Sequence, residues 1–180
     1  MSSIPSVDVS QFVVAATGGD ARAFARIIEA YDDDLVRVAY VVTRDVDLAH
    51  EAVQDAWAMA WRRLSSLREP GRLRPWLVAI AANEARQTLR RRRRRSVREI
   101  AIDDVVDAQA SATADRSFSD VDLRSALADL SPDDRSLVAM RYALGMTSDE
   151  IGLAVGLSGA GVRSRLARIL AQLREVLDDA

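Results

Sequence analysis

Apolar side chains return at steps of three and four residues through most of this chain, and this spacing restricts the fold to packed α-helices. One example runs through Phe24, Ile27, Tyr31, Leu35 and Val42. A helix brings such residues to one face, whereas a half-buried strand needs alternation at every second residue. Eight glycines and four prolines among 180 residues leave few points at which a helix is interrupted. We therefore predict an all-α protein.

Changes in composition divide the chain into four segments. Residues 1–19 are expected to form a tail or a short helix, and residues 20–95 carry three amphipathic helices. Ser, Ala, Thr and Asp dominate residues 96–120, a composition typical of a flexible linker. Helical periodicity returns in residues 121–180. The sequence therefore predicts two small helical domains, 20–95 and 121–180, joined by a linker.

The second domain carries the pattern of a helix-turn-helix. Thr147 and Glu150 have the spacing of a capping box, Gly156 marks a turn, and Ser158 is placed to cap a longer helix. That last helix is rich in arginine and has no acidic residue before Glu175. Arginines early in such a helix contact bases or phosphates of duplex DNA. An ordinary solvated surface helix is the alternative, and the combined pattern favours DNA binding.

The net charge of −2 conceals a strongly basic centre. Residues 61–100 carry a net charge of +10, whereas residues 1–60 and 101–180 each carry −6. Six consecutive arginines at 90–95 can neutralise phosphates, although a solvated start of the linker explains them equally well. We also predict that the acidic N-terminal third, especially residues 32–34, limits nonspecific DNA binding by the free protein.

The three tryptophans invite two interpretations. Trp57 and Trp61 lie on the apolar stripe of the second helix and are expected in the core. Trp76 follows a polar loop in a basic segment, and an aromatic ring there can stack on unpaired bases.

Several function classes are disfavoured by what the sequence lacks. The absence of cysteine excludes disulfides and thiolate chemistry, and the single histidine, His50, cannot build a multi-histidine metal site. Neither a membrane span nor a signal peptide is recognisable, so a cytoplasmic location is expected. We find no nucleophile with a base, no paired carboxylates and no phosphate loop. The sequence therefore predicts no catalytic residue, cofactor, metal or small-molecule substrate, and a helical enzyme is disfavoured.

Several segments, in order, resemble the extracytoplasmic-function family of RNA polymerase sigma factors. Residues 47–63, DLAHEAVQDAWAMAWRR, resemble the family pattern D-A-E-D-V-V-Q-E-T-F-L-R-A-W of region 2, and residues 74–83 resemble F-R-A-W-L-Y-R-I-A-x-N. Residues 130–142 resemble L-P-x-x-x-R-x-V-x-x-L-R-Y, and residues 147–168 resemble the helix-turn-helix of region 4. The resemblance covers about residues 20–95 and 121–177. It implies a region-2 helical bundle and a region-4 helix-turn-helix.

The resemblance also implies a function and three sets of site residues. The protein would bind core RNA polymerase and direct promoter recognition, DNA melting and initiation, and an anti-sigma protein would inhibit it. The polymerase set is Glu51, Gln54 and Asp55. The −10 set is Arg68, Arg72, Arg74, Trp76, Asn83, Arg86 and Arg90. The −35 set is Ser158, Arg163, Ser164, Arg165 and Arg168.

This chain departs from the family pattern at several DNA-facing positions. Gly161 stands where the family usually has threonine, and alanine or methionine replaces the basic residues common at positions 59, 79 and 82. Ala167 replaces a larger side chain. These departures leave the promoter sequence open but not the class.

A free-standing transcription regulator remains the main alternative. Its helix-turn-helix would bind duplex operator DNA without polymerase. This alternative accounts for residues 121–177, but it does not account for the region-2 resemblance.

Overall fold

The computed structural model describes residues 9–100 and 126–178, with side chains in 9–96 and 126–175. The N-terminal half, residues 9–100, contains four α-helices: α1 Val9–Thr17, α2 Ala21–Thr43, α3 Val46–Arg63 and α4 Leu73–Ile100. The C-terminal half, residues 126–178, contains α5 Pro132–Val138, α6 Ser148–Val155 and α7 Gly159–Asp178. Residues 126–129 are also helical, and no strand occurs in the described ranges. The predicted all-α fold is confirmed.

Side-chain caps set the starts of α2 and α3. The Asp20 carboxylate accepts hydrogen bonds from the backbone N–H groups two and three residues later, at 2.8 and 3.2 Å. Asp45 does the same for α3, at 3.0 and 3.1 Å. Between them, Arg44 adopts a left-handed backbone conformation with φ 61°, which ends α2. The helix start at Asp20 and the break at residues 43–45 follow directly from the sequence.

Small side chains let α2, α3 and α4 pack closely. The buried face of α3 is mostly alanine, and α4 adds further buried alanines. Alanine permits a short distance between helix axes because only a methyl group separates the backbones. The buried alanines of α3 and α4 are Ala49, Ala52, Ala56, Ala60, Ala81, Ala82 and Ala85.

The tryptophans are buried to different extents. Trp57 is only 8% exposed, and its indole N–H donates to the Asp32 carboxylate at 2.7 Å. Trp61, predicted in the core, is 40% exposed, so that prediction is wrong. One side of its ring still packs on Phe24, with centroids 4.9 Å apart. Trp76 is partly buried against the core.

The segment between α3 and α4, expected to be a polar loop before Trp76, is partly helical. Two 3-10 turns, Leu64–Ser66 and Pro70–Arg72, occupy it, and α4 then begins at Leu73. Pro75 therefore lies within the first turn of α4. A first-turn proline is tolerated because the N–H groups there have no partner within the helix.

Helix α4 extends to Ile100, so the arginine run at 90–95 is helical. The first five residues of the predicted linker, 96–100, therefore belong to α4. Residues 101–125 lie outside the described residues, as does the tail at 1–8.

The C-terminal half forms the predicted helix-turn-helix. Thr147 and Glu150 make both hydrogen bonds of the capping box, and Gly156 ends α6 with φ 72°. The Ser158 hydroxyl accepts from the backbone N–H of Gly161 at 3.1 Å, at the start of α7. Gly152 is required by the short turn, because a Cβ there would lie 2.5 Å from the carbonyl oxygen of Leu157.

The two halves pack on each other through a buried arginine. Arg135 is 8% exposed and donates to the carbonyl oxygen of Val42, in α2, at 3.1 Å. It also donates to the carbonyl oxygens of Ala128 and Leu130, each at 3.0 Å. The guanidinium thus joins the end of α2 to the start of α5.

We predict that mild acid weakens two helix starts. The backbone N–H of Leu48, helped by Arg92, holds the pKa of Asp45 below its usual value. The backbone N–H and hydroxyl of Thr147 do the same for Glu150. A carboxyl group with a lowered pKa stabilises the fold above its unfolded pKa and loses that contribution as pH falls through its folded pKa. Because both groups are largely solvated, each contribution should be below about 1 kcal/mol.

The measurement is the urea midpoint between about pH 5 and pH 3, the range in which carboxyl groups titrate. The variant D45N/E150Q should lose less stability over this range than the parent protein. D33N, at an exposed position on α2, is the control and should follow the parent. Equal losses in all three proteins would contradict the assignment.

Candidate functional site

The predicted polymerase set lies on one solvent-facing side of α3. Glu51 and Gln54 are exposed, and Asp55 is partly exposed. The Asp55 carboxylate accepts from the Arg91 guanidinium at 2.8 Å. This ion pair, with the nearby charge of Glu51, raises the pKa of Arg91. The face therefore combines two exposed polar side chains with one paired carboxylate.

The arginine run is divided between two faces of α4. Arg91 and Arg92 point to α3, where Arg92 pairs with Asp45 at 2.6 Å. Arg90 and Arg93 lie on another face and line a shallow cleft beside Pro132. Arg91 and Arg92 thus form ion pairs within the N-terminal half. Arg90 is exposed.

The predicted −10 set is spread over the 3-10 turns and α4. Arg68, Asn83 and Arg90 are exposed, and Trp76 is partly buried. Arg72 is exposed and pairs with Glu69 at 2.7 Å.

Arg74, by contrast, bridges the halves. It donates to the Asp34 carboxylate at 2.8 Å and to the carbonyl oxygen of Leu144 at 2.8 Å. The acidic run at 32–34, predicted to restrain DNA binding, is therefore partly engaged with an arginine of the −10 set.

Arg86 is the most enclosed arginine of the −10 set. Its guanidinium lies 3.3 Å from the Asp133 carboxylate and 3.3 Å from the Ser136 hydroxyl, and its side chain is 19% exposed. Burial lowers the pKa of Arg86, against the opposing effect of Asp133. Arg86 is therefore a partly dehydrated cation, held at the contact between the halves.

The predicted −35 set lies at the start of α7. Arg163, Ser164 and Arg168 are exposed. Arg165 pairs with Asp134 at 2.8 Å, and its side chain is 37% exposed. Ser158 is exposed, and its hydroxyl serves as the cap of α7.

A cleft of about 380 Å³ separates the halves where the two DNA sets approach each other. Asn83 and Arg86 line it from α4, and Arg165 lines it from α7. The remaining lining residues are Ala79, Asp133, Leu137, Ala154, Val155 and Leu157.

Sequence reasoning missed the acidic partners of these arginines. Asp133 and Asp134 are recognisable as first-turn acids after the Ser131 cap, which is a purely local role. No signal in the sequence shows that they meet Arg86 and Arg165, which are 47 positions earlier and 31 positions later, respectively.

Among the described residues, the His, Asp and Glu side chains include no cluster able to hold a metal ion. None of the helices described is both long enough and apolar enough to cross a membrane.

Comparison with known protein families matches both halves of the chain. The family described as Sigma-70 region 2 matches residues 27–95, and Sigma-70, region 4 matches residues 120–173. The matches occur in the order expected from the sequence.

Curated relatives include three sigma factors. The probable RNA polymerase sigma factor RfaY of Xanthomonas campestris pv. campestris is 33% identical over 168 residues, which cover 90% of this chain. This chain spans only 42% of the length of RfaY. RNA polymerase sigma factor NccH of Alcaligenes xylosoxydans xylosoxydans is 30% identical, with 98% of this chain and 97% of NccH covered. ECF RNA polymerase sigma factor SigC of Mycobacterium tuberculosis is 29% identical, with 89% and 86% covered.

Solved structures show the same fold. CnrH, in complex with the cytosolic domain of CnrY, superposes with a TM-score of 0.69 at 24% identity, covering 94% of this chain and 97% of CnrH. The sigma factor RpoE from Bartonella quintana, in complex with the anti-sigma factor NepR, also has a TM-score of 0.69 at 24% identity, covering 88% and 98%.

Proposed function

This chain belongs to the extracytoplasmic-function family of RNA polymerase sigma factors, and from that premise we propose that it is an alternative sigma factor that binds core RNA polymerase and directs promoter recognition, DNA melting and initiation. The observation that carries the proposal is the presence of both region 2 and region 4 in one chain, with NccH matched along nearly its whole length. A free-standing regulator would need only the helix-turn-helix. The proposed role involves no bond chemistry, so it requires no catalytic residue, and its site of action is the cytoplasm.

We propose that the exposed face of α3 docks on core polymerase. Glu51 and Gln54 are free of the core and present polar groups to a partner. Asp55 joins them when it exchanges Arg91 for a basic group of the polymerase. Such an exchange costs little, because both members of the Asp55–Arg91 pair are nearly half exposed.

The basic segment from the 3-10 turns through α4 receives the −10 element as an unpaired strand. Arg68, Arg72 and Arg90 supply phosphate contacts, and Asn83 presents an amide to base edges. Trp76 offers a partly exposed ring for stacking. Capture of flipped bases offsets the few kcal/mol that unstacking costs at each step. Arg74 and Arg86 join this surface once their contacts to the C-terminal half open.

Helix α7 reads the −35 element in the major groove of duplex DNA. Arg163, Ser164 and Arg168 are exposed there, and arginine pairs with guanine or phosphate. Ser158, beside this surface, fixes the helix start, and Arg165 completes the set when it leaves Asp134. Two weakly specific DNA modules on one polymerase gain selectivity through their effective concentration.

We further propose that an anti-sigma protein inhibits this chain. RpoE from Bartonella quintana, which shares this fold, was determined in complex with the anti-sigma factor NepR, and CnrH was determined with the cytosolic domain of CnrY. The shared fold supports the proposal.

In vitro transcription from fragmented genomic DNA of the source organism tests the proposed function. Core polymerase with this protein should give new transcripts that start at fixed positions, and core polymerase alone should not. The variant Q54A/D55A should reduce these transcripts by about tenfold or more, because two truncations at an interface hot spot together cost at least 1–2 kcal/mol.

Glu29→Ala, on an exposed part of α2, is the matched control and should transcribe as the parent does. Circular dichroism melts show whether each variant is folded. If no new start sites arise while the protein alone shifts specific duplex DNA, the free-standing regulator is correct. Normal transcription by Q54A/D55A would remove the docking role from α3.

A further inference from the structure

Two consecutive carboxylates at the start of α5 each hold an arginine from a different DNA-binding set. The Asp133 carboxylate lies 3.3 Å from the Arg86 guanidinium, which belongs to the −10 set. The Asp134 carboxylate lies 2.8 Å from the Arg165 guanidinium, which belongs to the −35 set. One dipeptide therefore engages both DNA-binding surfaces at once.

The local structure of α5 orients this acidic pair. The second oxygen of the Asp134 carboxylate accepts from the Ser131 hydroxyl at 2.8 Å, while Ser131 also caps α5. On the other side, Arg86 donates to the hydroxyl of Ser136, a fully buried residue. That hydroxyl in turn donates to the carbonyl oxygen of Pro132 at 2.7 Å. Each ion pair thus has a second hydrogen bond that limits its freedom.

The ion pairs alter which arginines face solvent. The side chains of Arg86 and Arg165 are 19% and 37% exposed, whereas Arg163 and Arg168 lie on the solvent-facing side of α7. Asp133, Arg86 and Arg165 line the same cleft. In this arrangement the Nε–H groups of Arg86 and Arg165 already face a carboxylate, so a phosphate can reach them only by displacing it.

A carboxylate and a phosphate compete for the same guanidinium geometry, since both accept two parallel N–H groups from arginine. We infer that Asp133 and Asp134 form an acidic clasp, an intramolecular substitute for DNA phosphates that holds Arg86 and Arg165 and restrains DNA binding by the free protein. Separation of the halves on core polymerase frees Arg86 from Asp133. Arg165 and Asp134 both belong to the C-terminal half, so phosphates of the −35 element displace Asp134 directly. This inference rests on the DNA roles proposed above for Arg86 and Arg165.

The test compares DNA binding by the full-length free protein and the variant D133N/D134N. The probe is a short fluorescent duplex of arbitrary sequence, followed by anisotropy at about 50 mM salt, where phosphate contacts are strong. D133N/D134N should bind about three- to tenfold more tightly than the parent, because two arginines become available for phosphates. Its transcription with saturating core polymerase should equal that of the parent, since polymerase and promoter DNA together open the clasp in both.

A charge-matched control separates the clasp from net charge. D129N/E175Q removes the same two negative charges from exposed positions outside the acidic N-terminal third and should tighten binding by less than about twofold. The gain of D133N/D134N should also vanish when Arg86→Gln and Arg165→Gln are added. The single variants D133N and D134N each free one arginine and remain informative if the double variant unfolds. Equal DNA affinity of D133N/D134N and D129N/E175Q would overturn the clasp.

A separate readout isolates the proposed function. R86Q/R165Q should lose transcription with core polymerase. If R86Q/R165Q transcribes normally while D133N/D134N still binds DNA more tightly than its control, the clasp stands and the promoter roles of the two arginines fail. If transcription is lost and D133N/D134N shows no gain, the clasp alone fails.

Discussion

Replacing Arg135 by methionine is expected to lower the free energy of unfolding by about 2–4 kcal/mol. The Arg135 guanidinium is buried and donates to three carbonyl oxygens, those of Val42, Ala128 and Leu130. Methionine keeps most of the apolar stem but leaves these acceptors without a donor. Each orphaned buried acceptor costs about 1–3 kcal/mol. Part of this loss is offset because the methionine variant has no guanidinium that must be dehydrated on folding.

Burial disfavours the charged form of the Arg135 guanidinium. Loss of water lowers its pKa, and the positive charge of Arg44 acts in the same direction. The carbonyl oxygens are therefore what retains the charged guanidinium at this site. Because Val42 belongs to α2 and the other two carbonyls precede α5, R135M should also loosen the contact between the halves.

Urea unfolding followed by circular dichroism measures the R135M effect, and limited proteolysis between the halves reports the loosened contact. Arg141→Met is the matched control, since Arg141 is exposed and donates to the carbonyl oxygen of Met146 alone among the described residues. R135K, which keeps a charge but not the fork of donors, should fall between R135M and the parent. Equal stability of R135M and R141M would show that the three carbonyls do not depend on the guanidinium.

Replacing Ala56 by leucine is the second change with a large expected effect, a loss of about 1–3 kcal/mol of unfolding free energy. Ala56 is fully buried on α3, in the alanine-rich face packed against α2 and α4. Three added carbon atoms there have no space unless the helices separate. Close-packed interiors transmit such strain instead of absorbing it.

Ala58→Leu provides the matched control for Ala56→Leu. Ala58 is two positions along the same helix and is exposed. Both variants make the same chemical change with the same small effect on helix propensity, so only burial differs. Thermal melts should show a clear drop for A56L and almost none for A58L. A drop of the same size in both variants would contradict close packing at Ala56.

The helices of this protein are predictable from sequence because their signals are local. Caps at Asp20, Asp45, Ser131 and Thr147 act on N–H groups within three residues, so no knowledge of the rest of the fold is needed. Apolar spacing likewise predicts the buried stripe of each helix, and ordered motifs predict the family.

Predictions that depended on neighbouring elements were less accurate. Trp61 lies on the apolar stripe of α3, yet it is at the margin of the core and remains 40% exposed. The segment 65–74, polar and containing Pro70-Gly71, forms 3-10 turns because α1 and α4 pack beside it. Extent of burial depends on which elements surround a position, and periodicity in one helix does not specify this.

The sequence by itself determined the helical class, the starts of the helices that carry a side-chain cap, and the helix-turn-helix. The tertiary structure alone decided that Arg74 and Arg86 are held between the halves, and that Asp133 and Asp134 pair with Arg86 and Arg165. The physical reason is the separation along the sequence between the residues that interact. A cap or an apolar stripe is set by residues one to four positions apart, whereas an ion pair across 31 or 47 positions exists only after helix packing brings the two charges together.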